Sequence, residues 1–323
     1  MREIVLTLIA AVALLGCSDE PTPVAPDEQK AIGFGNVDTR AEVSENDITE
    51  FGVYAFVNQG ADGTDEASVF ESLLGSDDGA ERVYFDSITG EWTYDNVKFW
   101  MANRRYHFLG IYPFDATSNS ITNDISGISR VFTTPDEANM DIMAAHTMVN
   151  SAGATPSSVE MTFEHMLSKV CFKVHYDTTG NQDDEFTLTG FTISNIKKEG
   201  TLQSTFDGNN SWSVNQLYNM DFEWEGEKVL ESEFQLWGDD LMLIPQTIAP
   251  SVVNINIKYK YNEDKNGNLV DKEVDTYLPA ITWKPGLQYV YHMILHEDDL
   301  ITFNQIEIAD WGSPQQGGAV IIK

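Results

Sequence analysis

The chain has 323 residues, enough for two domains of ordinary size with sizeable cores. It is 42% hydrophobic and carries 7 Trp, 12 Tyr and 17 Phe, which excludes a disordered acidic tail. Its 19 Lys+Arg against 51 Asp+Glu give a net charge of -32, which argues against nucleic acid as a partner, and its two cysteines exclude a disulfide framework.

Met1 to Cys17 reads MREIVLTLIAAVALLGC. The apolar run Ile4 to Leu15 is too short for a spanning helix, which needs ~20 residues. It fits the apolar region of a secretory signal. Leu14-Leu15-Gly16-Cys17 resembles a bacterial lipobox, which implies cleavage before Cys17 and acylation of its thiol. Two or three acyl chains anchor stably where one does not. Ser18-Asp19-Glu20 resembles the export tag that sends lipoproteins to the outer face of the outer membrane in some Gram-negative anaerobes. Residues 18–30 hold three prolines and four acids and read as an extended tether.

Next comes a short apolar alternation, Ile32-Gly33-Phe34-Gly35, then Arg40, the first arginine after Arg2. The body beyond reads as all-β. Strand-like runs recur at Phe51–Val57, Arg82–Trp100, Arg105–Phe114, Glu160–Tyr176, Phe186–Ile196, Asp240–Ile248, Ser251–Tyr261, Val274–Trp283, Leu287–His296 and Ile301–Trp311. Gly, Asn, Asp and Pro clusters separate them, as in sandwiches and barrels. Val253, Ile255, Ile257 and Tyr259 alternate with Asn254, Asn256, Lys258 and Lys260, which predicts a half-buried antiparallel strand. Phe172, Val174 and Tyr176 oppose Cys171, Lys173 and His175 in the same way. Two segments read as helical, Glu66 to Gly75 and Ala138 to His146. Some 300 residues are too many for one sandwich of ~100, so two sandwich domains are expected. The small polar stretch Val149 to Val159 places them at 41–155 and 156–323.

The chemistry-bearing motifs of hydrolases, zinc proteases and nucleotide enzymes are absent from the sequence, so no enzyme, cofactor or catalytic residue is expected. His292 and His296 share a strand face but would lie roughly 13 Å apart at ~3.3 Å per residue, too far to hold one ion. Asp264, Asn266 and Asn268 have the spacing of a calcium loop. Leu269 stands where that loop needs Gly and Asp275 where it needs Glu, while Asn266-Gly267 is a hairpin turn, so a long hairpin loop is expected. Glu164-His165 lacks a nucleophile and reads as a strand pair. Cys171 reads as an inert small side chain. The aromatics sit in period-two runs and read as core rather than as a glycan platform.

Four stretches together resemble the fimbrillin (Mfa-like) family, the type V pilus subunits. They are the lipobox with its acidic follow-on, Ile32 to Val43 leading into Phe51–Val57, the Phe163-x-His165-x-Leu167-Ser168-Lys169-Val170 run, and Trp283-x-Pro285-Gly286-x-x-Tyr289 with the terminal Trp311. The resemblance implies two transthyretin-like β-sandwich domains. It implies export as an outer-membrane lipoprotein lipidated at Cys17, and processing by an arginine-specific protease between Arg40 and Ala41. Residues 1–16 would be the signal peptide and 17–40 a tether and leader strand, Ile32 to Phe34, removed by that cut. Lys30, Arg82, Arg104, Arg105 and Arg130 are alternative cut sites within or beside expected structure. Other pilus subunits would then assemble with the chain by strand exchange and support adhesion. Gly317 to Lys323 is the candidate donor, or else the last edge strand of its own domain. The alternative to a pilus subunit is a tethered monomeric surface lipoprotein that binds glycans or host ligands.

Overall fold

A computed structural model describes residues 30–39, 48–58, 70–76, 79–114, 119–121, 126–151, 157–177, 186–230, 233–262, 268–296, 299–311 and 320–322. Among them the chain is all-β, as its pattern predicts. The first strands are β1 (Phe34–Thr39), β2 (Glu50–Asn58), β3 (Phe70–Leu74), β4 (Glu81–Asp86) and β5 (Glu91–Thr93). Then come β6 (Arg105–Tyr112), β7 (Asn119–Ile121), β8 (Gly127–Thr133), β9 (Met143–Asn150) and β10 (Val159–His165). β11 (Ser168–Tyr176), β12 (Phe186–Lys197), β13 (Glu199–Thr205), β14 (Asn210–Val214) and β15 (Asn219–Val229) follow. The chain continues through β16 (Gln235–Leu243), β17 (Thr247–Ile248), β18 (Asn254–Asn262) and β19 (Leu269–Tyr277). It ends with β20 (Ile281–Thr282), β21 (Leu287–Leu295), β22 (Ile301–Asp310) and β23 (Val320–Ile322).

The first sheet runs β3-β2-β4-β5-β1-β10-β9-β6, and β2 also pairs with β6. Hydrogen bonding therefore returns on itself through β2, β4, β5, β1, β10, β9 and β6. The enclosed core takes Phe34 and Val37 from β1, Phe51 and Val53 from β2, Tyr106 and Phe108 from β6, and Met161 and Phe163 from β10. β10 alternates strictly, with Val159, Met161, Phe163 and His165 inward against exposed Glu160, Thr162 and Glu164. The expected division at 155/156 falls ahead of β10.

Both helical expectations are overturned. Phe70–Leu74 pairs with β2, and Met143–Asn150 pairs with β6 from end to end. The Ala and Met content of the second segment favours a helix, but propensity is a weak prior. In β9, Met143 and Ala145 enter the first core while Ala144 faces another, so strand alternation buries both faces.

In the second half, a five-stranded sheet, β16-β11-β21-β22-β23, faces a four-stranded one, β15-β12-β18-β19. Their shared core sets Phe172 and Val174 of β11 and Tyr289, Tyr291 and Met293 of β21 against Phe186, Leu188 and Phe191 of β12 and Ile255, Ile257 and Tyr259 of β18. The alternations predicted for β11 and β18 hold. Trp283 is 1% exposed, and its indole N–H donates to the Tyr291 hydroxyl at 2.9 Å. Gly286, at φ 70, turns the chain into β21 where a side chain would strain the backbone.

A four-stranded sheet, β14-β13-β8-β7, joins the halves, with β8 paired to β13 from Gly127↔Thr205 to Thr133↔Glu199. A further core lies beside it, built from Phe132, Ile142, Met166, Leu202, Ile244 and Trp311.

Candidate functional site: the seat of the first strand

The strand expected at Ile32 to Phe34 lies further along: β1 is Phe34–Thr39, with a register shift between Phe34 and Val37. β1 lies parallel to β10, with Phe34 opposite Val159 and Val37 opposite Met161. On its other side Phe34 pairs with Trp92 of β5. Ahead of β1 the chain is already fastened. Ile32 N–H donates to Lys98 O at 2.8 Å, Trp100 N–H to Lys30 O at 3.0 Å, and the Tyr94 hydroxyl to Ile32 O at 2.8 Å. Val159 N–H donates to Gly33 O at 2.8 Å.

The side chains seat more firmly still. Ile32, Phe34 and Val37 are 1%, 6% and 6% exposed. The Phe34 ring stands edge-on to Phe51, Tyr94 and Phe108 at 5.7, 5.6 and 6.1 Å. Burying each of the three side chains contributes about 1.5–3 kcal/mol. A circuit without β1 would leave β10 with an unpaired edge above an apolar floor of Phe51, Phe108, Met161 and Phe163. Such an edge is a template for another strand.

β1 ends at Thr39, directly before Arg40. Arg40, Ala41 and Cys17 lie outside the described residues, as does the apolar run Ile4 to Leu15. Among the described residues no helix is long and apolar enough to cross a membrane. Of the alternative arginines, Arg82, Arg105 and Arg130 sit in strands, and Arg104 stands just ahead of β6. Arg82 belongs to β4 and its Nε donates to Glu50 at 2.7 Å. Arg130, 5% exposed in β8, donates to Tyr112 O and Pro113 O. Arg105 opens β6. At the other end of the chain, β23 pairs antiparallel with β22, Ile306↔Ile322 to Ile308↔Val320, at the edge of its own sheet.

A sequence profile described as fimbrillin-like matches residues 39–311. The chain belongs to the fimbrillin-like family. Its fold is similar to that of a fimbrial protein from Bacteroides vulgatus, with a TM-score of 0.61 at 15% identity over 87% of this chain and 99% of that one. A candidate cell adhesion protein from Bacteroides ovatus gives 0.51 at 14% identity over 88% and 98%. At these identities the likeness is one of fold. No curated protein matches the sequence.

The motif residues of this fimbrillin-like chain converge where β10 passes into β11. His165 stacks on Trp311 with ring centroids 3.9 Å apart and planes 4° apart. Its Nδ1 lies 2.5 Å from Asp141 Oδ2, and burial pushes the Asp141 carboxyl up against the pull of His165. Lys169 holds its Nζ 5.9 Å from the Trp311 ring centre and 2.7 Å from Asp240 Oδ2. Trp311 N–H donates to Gly286 O, and Gly286 N–H to Leu167 O. Sequence reasoning reads Glu164-His165 as a plain strand pair and misses this contact, because nothing local announces a partner at the far end of the chain.

The other singled-out residues have separate roles. Cys171 donates to Asp240 Oδ1 at 2.9 Å, and burial pushes its thiol up to about 12, which disfavours the thiolate. His292 faces Glu307 at 3.1 Å, whereas His296 binds Asp177 and Thr302. Residues 263–267 lie outside the described residues, and with them Asp264 and Asn266 of the calcium-like loop. Among the described residues no group of three or more His, Cys, Asp or Glu is placed to hold a metal.

A histidine pair carries a pH prediction. His107 Nδ1 lies 3.1 Å from His146 Nε2, and Phe206, just after β13, stacks on His107 at 4.6 Å. Burial, then His146 and Arg105, lower His107 to about 4. Burial also lowers His146, against the pull of Asp207. An unfolded histidine takes its proton near pH ~6.5, so the unfolded chain binds more protons below that value. Stability is therefore full above pH ~6.5 and falls toward about 4, by roughly 1–3 kcal/mol. Urea titrations across that range are expected to show the slope, and His107→Gln to flatten it. An unchanged slope in the variant would assign the effect to His146 or to carboxylates instead.

Proposed function

We propose that the chain is a structural or accessory subunit of a cell-surface fimbrium, assembled by strand exchange after proteolysis. The observation that carries the reading is the place of β1: a link in a closed circuit that ends one residue before Arg40. A cut between Arg40 and Ala41 would part β1 from the body and free the tether with its lipidated Cys17. The vacated place beside β10 would then take a strand from another subunit, which satisfies both the unpaired edge and the apolar floor. Before the cut the chain is held to the outer membrane by its acyl chains. An arginine-specific protease, the membrane and other pilus subunits are its partners, and its role is adhesive rather than enzymatic. We divide the body at Met166-Leu167, between β10 and β11, rather than at 155/156.

The C-terminal strand supports two readings. As Gly317 to Lys323 it is the segment that would be donated. Its pairing with β22 of its own chain favours the alternative, a tethered monomeric surface lipoprotein that binds glycans or host ligands. Digestion with an arginine-specific protease separates them. A single new N-terminus at Ala41 followed by a ladder of multimers is expected. An intact Arg40, or a clean cut that leaves a stable monomer, would overturn assembly by exchange.

A further inference from the structure

The seat of β1 is shaped at one point by the absence of a side chain. A Cβ on Gly35 would lie 2.4 Å from Ser158 Oγ and 2.9 Å from Ser158 Cβ, whereas one on Gly33 would meet nothing within 4 Å. Gly35 is not among the glycines with positive φ, so its backbone does not call for glycine. The demand is spatial. Rotating the serine hydroxyl away relieves only the first contact, because Cβ is fixed to the backbone.

The same point breaks the register. Phe34 faces Val159 and Val37 faces Met161, so three steps along β1 match two along β10. That is a bulge at Gly35-Asn36. It lets Phe34 and Val37 both enter the core, although residues three apart on a regular strand point to opposite faces. The seat therefore accepts a pattern rather than any apolar strand: Ile32, Phe34, glycine, then Val37 two residues on.

We propose that the Gly35–Ser158 contact is the register pin of this seat and determines which strand can fill it. An occupant must bring glycine to the place of Gly35 against Ser158, a large apolar residue directly before it, and an apolar residue two positions after. The chain's own end, Gly317-Gly318-Ala319-Val320-Ile321-Ile322-Lys323, fails this demand. With Gly318 in the place of Gly35, Val320 falls in the place of Val37 but Gly317 in that of Phe34. With Gly317 there, Gln316 falls in that place. The seat thus selects a strand other than this C-terminal segment, from a subunit whose donor carries an aromatic or other large apolar residue before glycine.

The use of the pin rests on the strand-exchange reading, but the pin itself can be tested on the intact chain. Hydrogen exchange at the Val37 and Asp38 amides is compared in wild type, Gly35→Ala, Ser158→Gly and the double variant. Gly35→Ala is expected to speed exchange by about tenfold or more, and Ser158→Gly in the same chain to return it to within about threefold of wild type. Exchange in Gly35→Ala at the wild-type rate, or no rescue by Ser158→Gly, would overturn the pin, including where Gly35→Ala alone fails to fold. After cleavage at Arg40, labelled peptides of residues 30–39, the same peptide with Gly35→Ala, and residues 314–323 are titrated. The first is expected to bind about tenfold or more tighter than the other two. Equal binding of 314–323 would overturn the selectivity. A working mutant cycle with no peptide binding would leave the pin standing and overturn the exchange reading instead.

Discussion

Phe34→Ala is expected to lower the unfolding free energy by about 3–5 kcal/mol, the range for truncating a buried Phe. The ring is 6% exposed and touches three other aromatics. The site is poorly placed to collapse around the loss. Phe51, Tyr94 and Phe108 come from three separate segments, each held in place: Phe51 by pairing with β4, Phe108 by pairing with β2 and β9, and Tyr94 by the hydrogen bond to Ile32 O. A cavity therefore persists, and its cost adds to the lost transfer energy. Guanidinium unfolding of the intact chain measures the effect, with Ile88→Ala as a control. Ile88 is 94% exposed, and its loss should stay within about 0.5 kcal/mol. A loss below about 1 kcal/mol for Phe34→Ala would mean that β1 rests on the circuit rather than belonging to it, and the seat would lose its standing as the functional site.

How far the sequence discloses the fold depends on how local each signal is. β18 and β11 are legible because two-residue alternation is written into adjacent positions, and burial follows it except at Cys171, which is buried on the opposite face of β11. β1 is legible only at its start. The bulge at Gly35-Asn36 shifts the inward set from even to odd positions, so Val37 falls out of phase with Ile32 and Phe34. β9 is misread because Ala and Met between two packed faces satisfy a helix pattern as well as a strand. The pairing of β8 with β13 carries no local mark either, since its partners lie 66 to 78 residues apart in sequence. The candidate site divides along the same line. Arg40 is conspicuous in an arginine-poor stretch, whereas the floor that receives Phe34 is assembled from β2, β6 and β10.

Trp311→Ala should weaken the junction at the other end of the chain by a similar amount, about 3–5 kcal/mol. Trp311 is 7% exposed, lies flat on His165 and sits beneath the Lys169 ammonium. Removing the indole strips the ring from the face of His165, whose Nδ1 stays paired with Asp141. It also removes a member of the core that includes Phe132, Met166 and Leu202. Trp311→Phe keeps an aromatic face for His165 and is expected to recover more than half of the loss, about 2 kcal/mol or more. The two variants thus separate stacking from bulk. His165 ends β10, the strand that carries β1, and Trp311 follows directly on β22, the strand that carries β23. A junction that holds both should, when loosened, raise protease sensitivity at both ends of the chain together. If Trp311→Ala unfolds at the wild-type denaturant midpoint, the stack is only a surface contact. The two terminal strands would then be fastened independently.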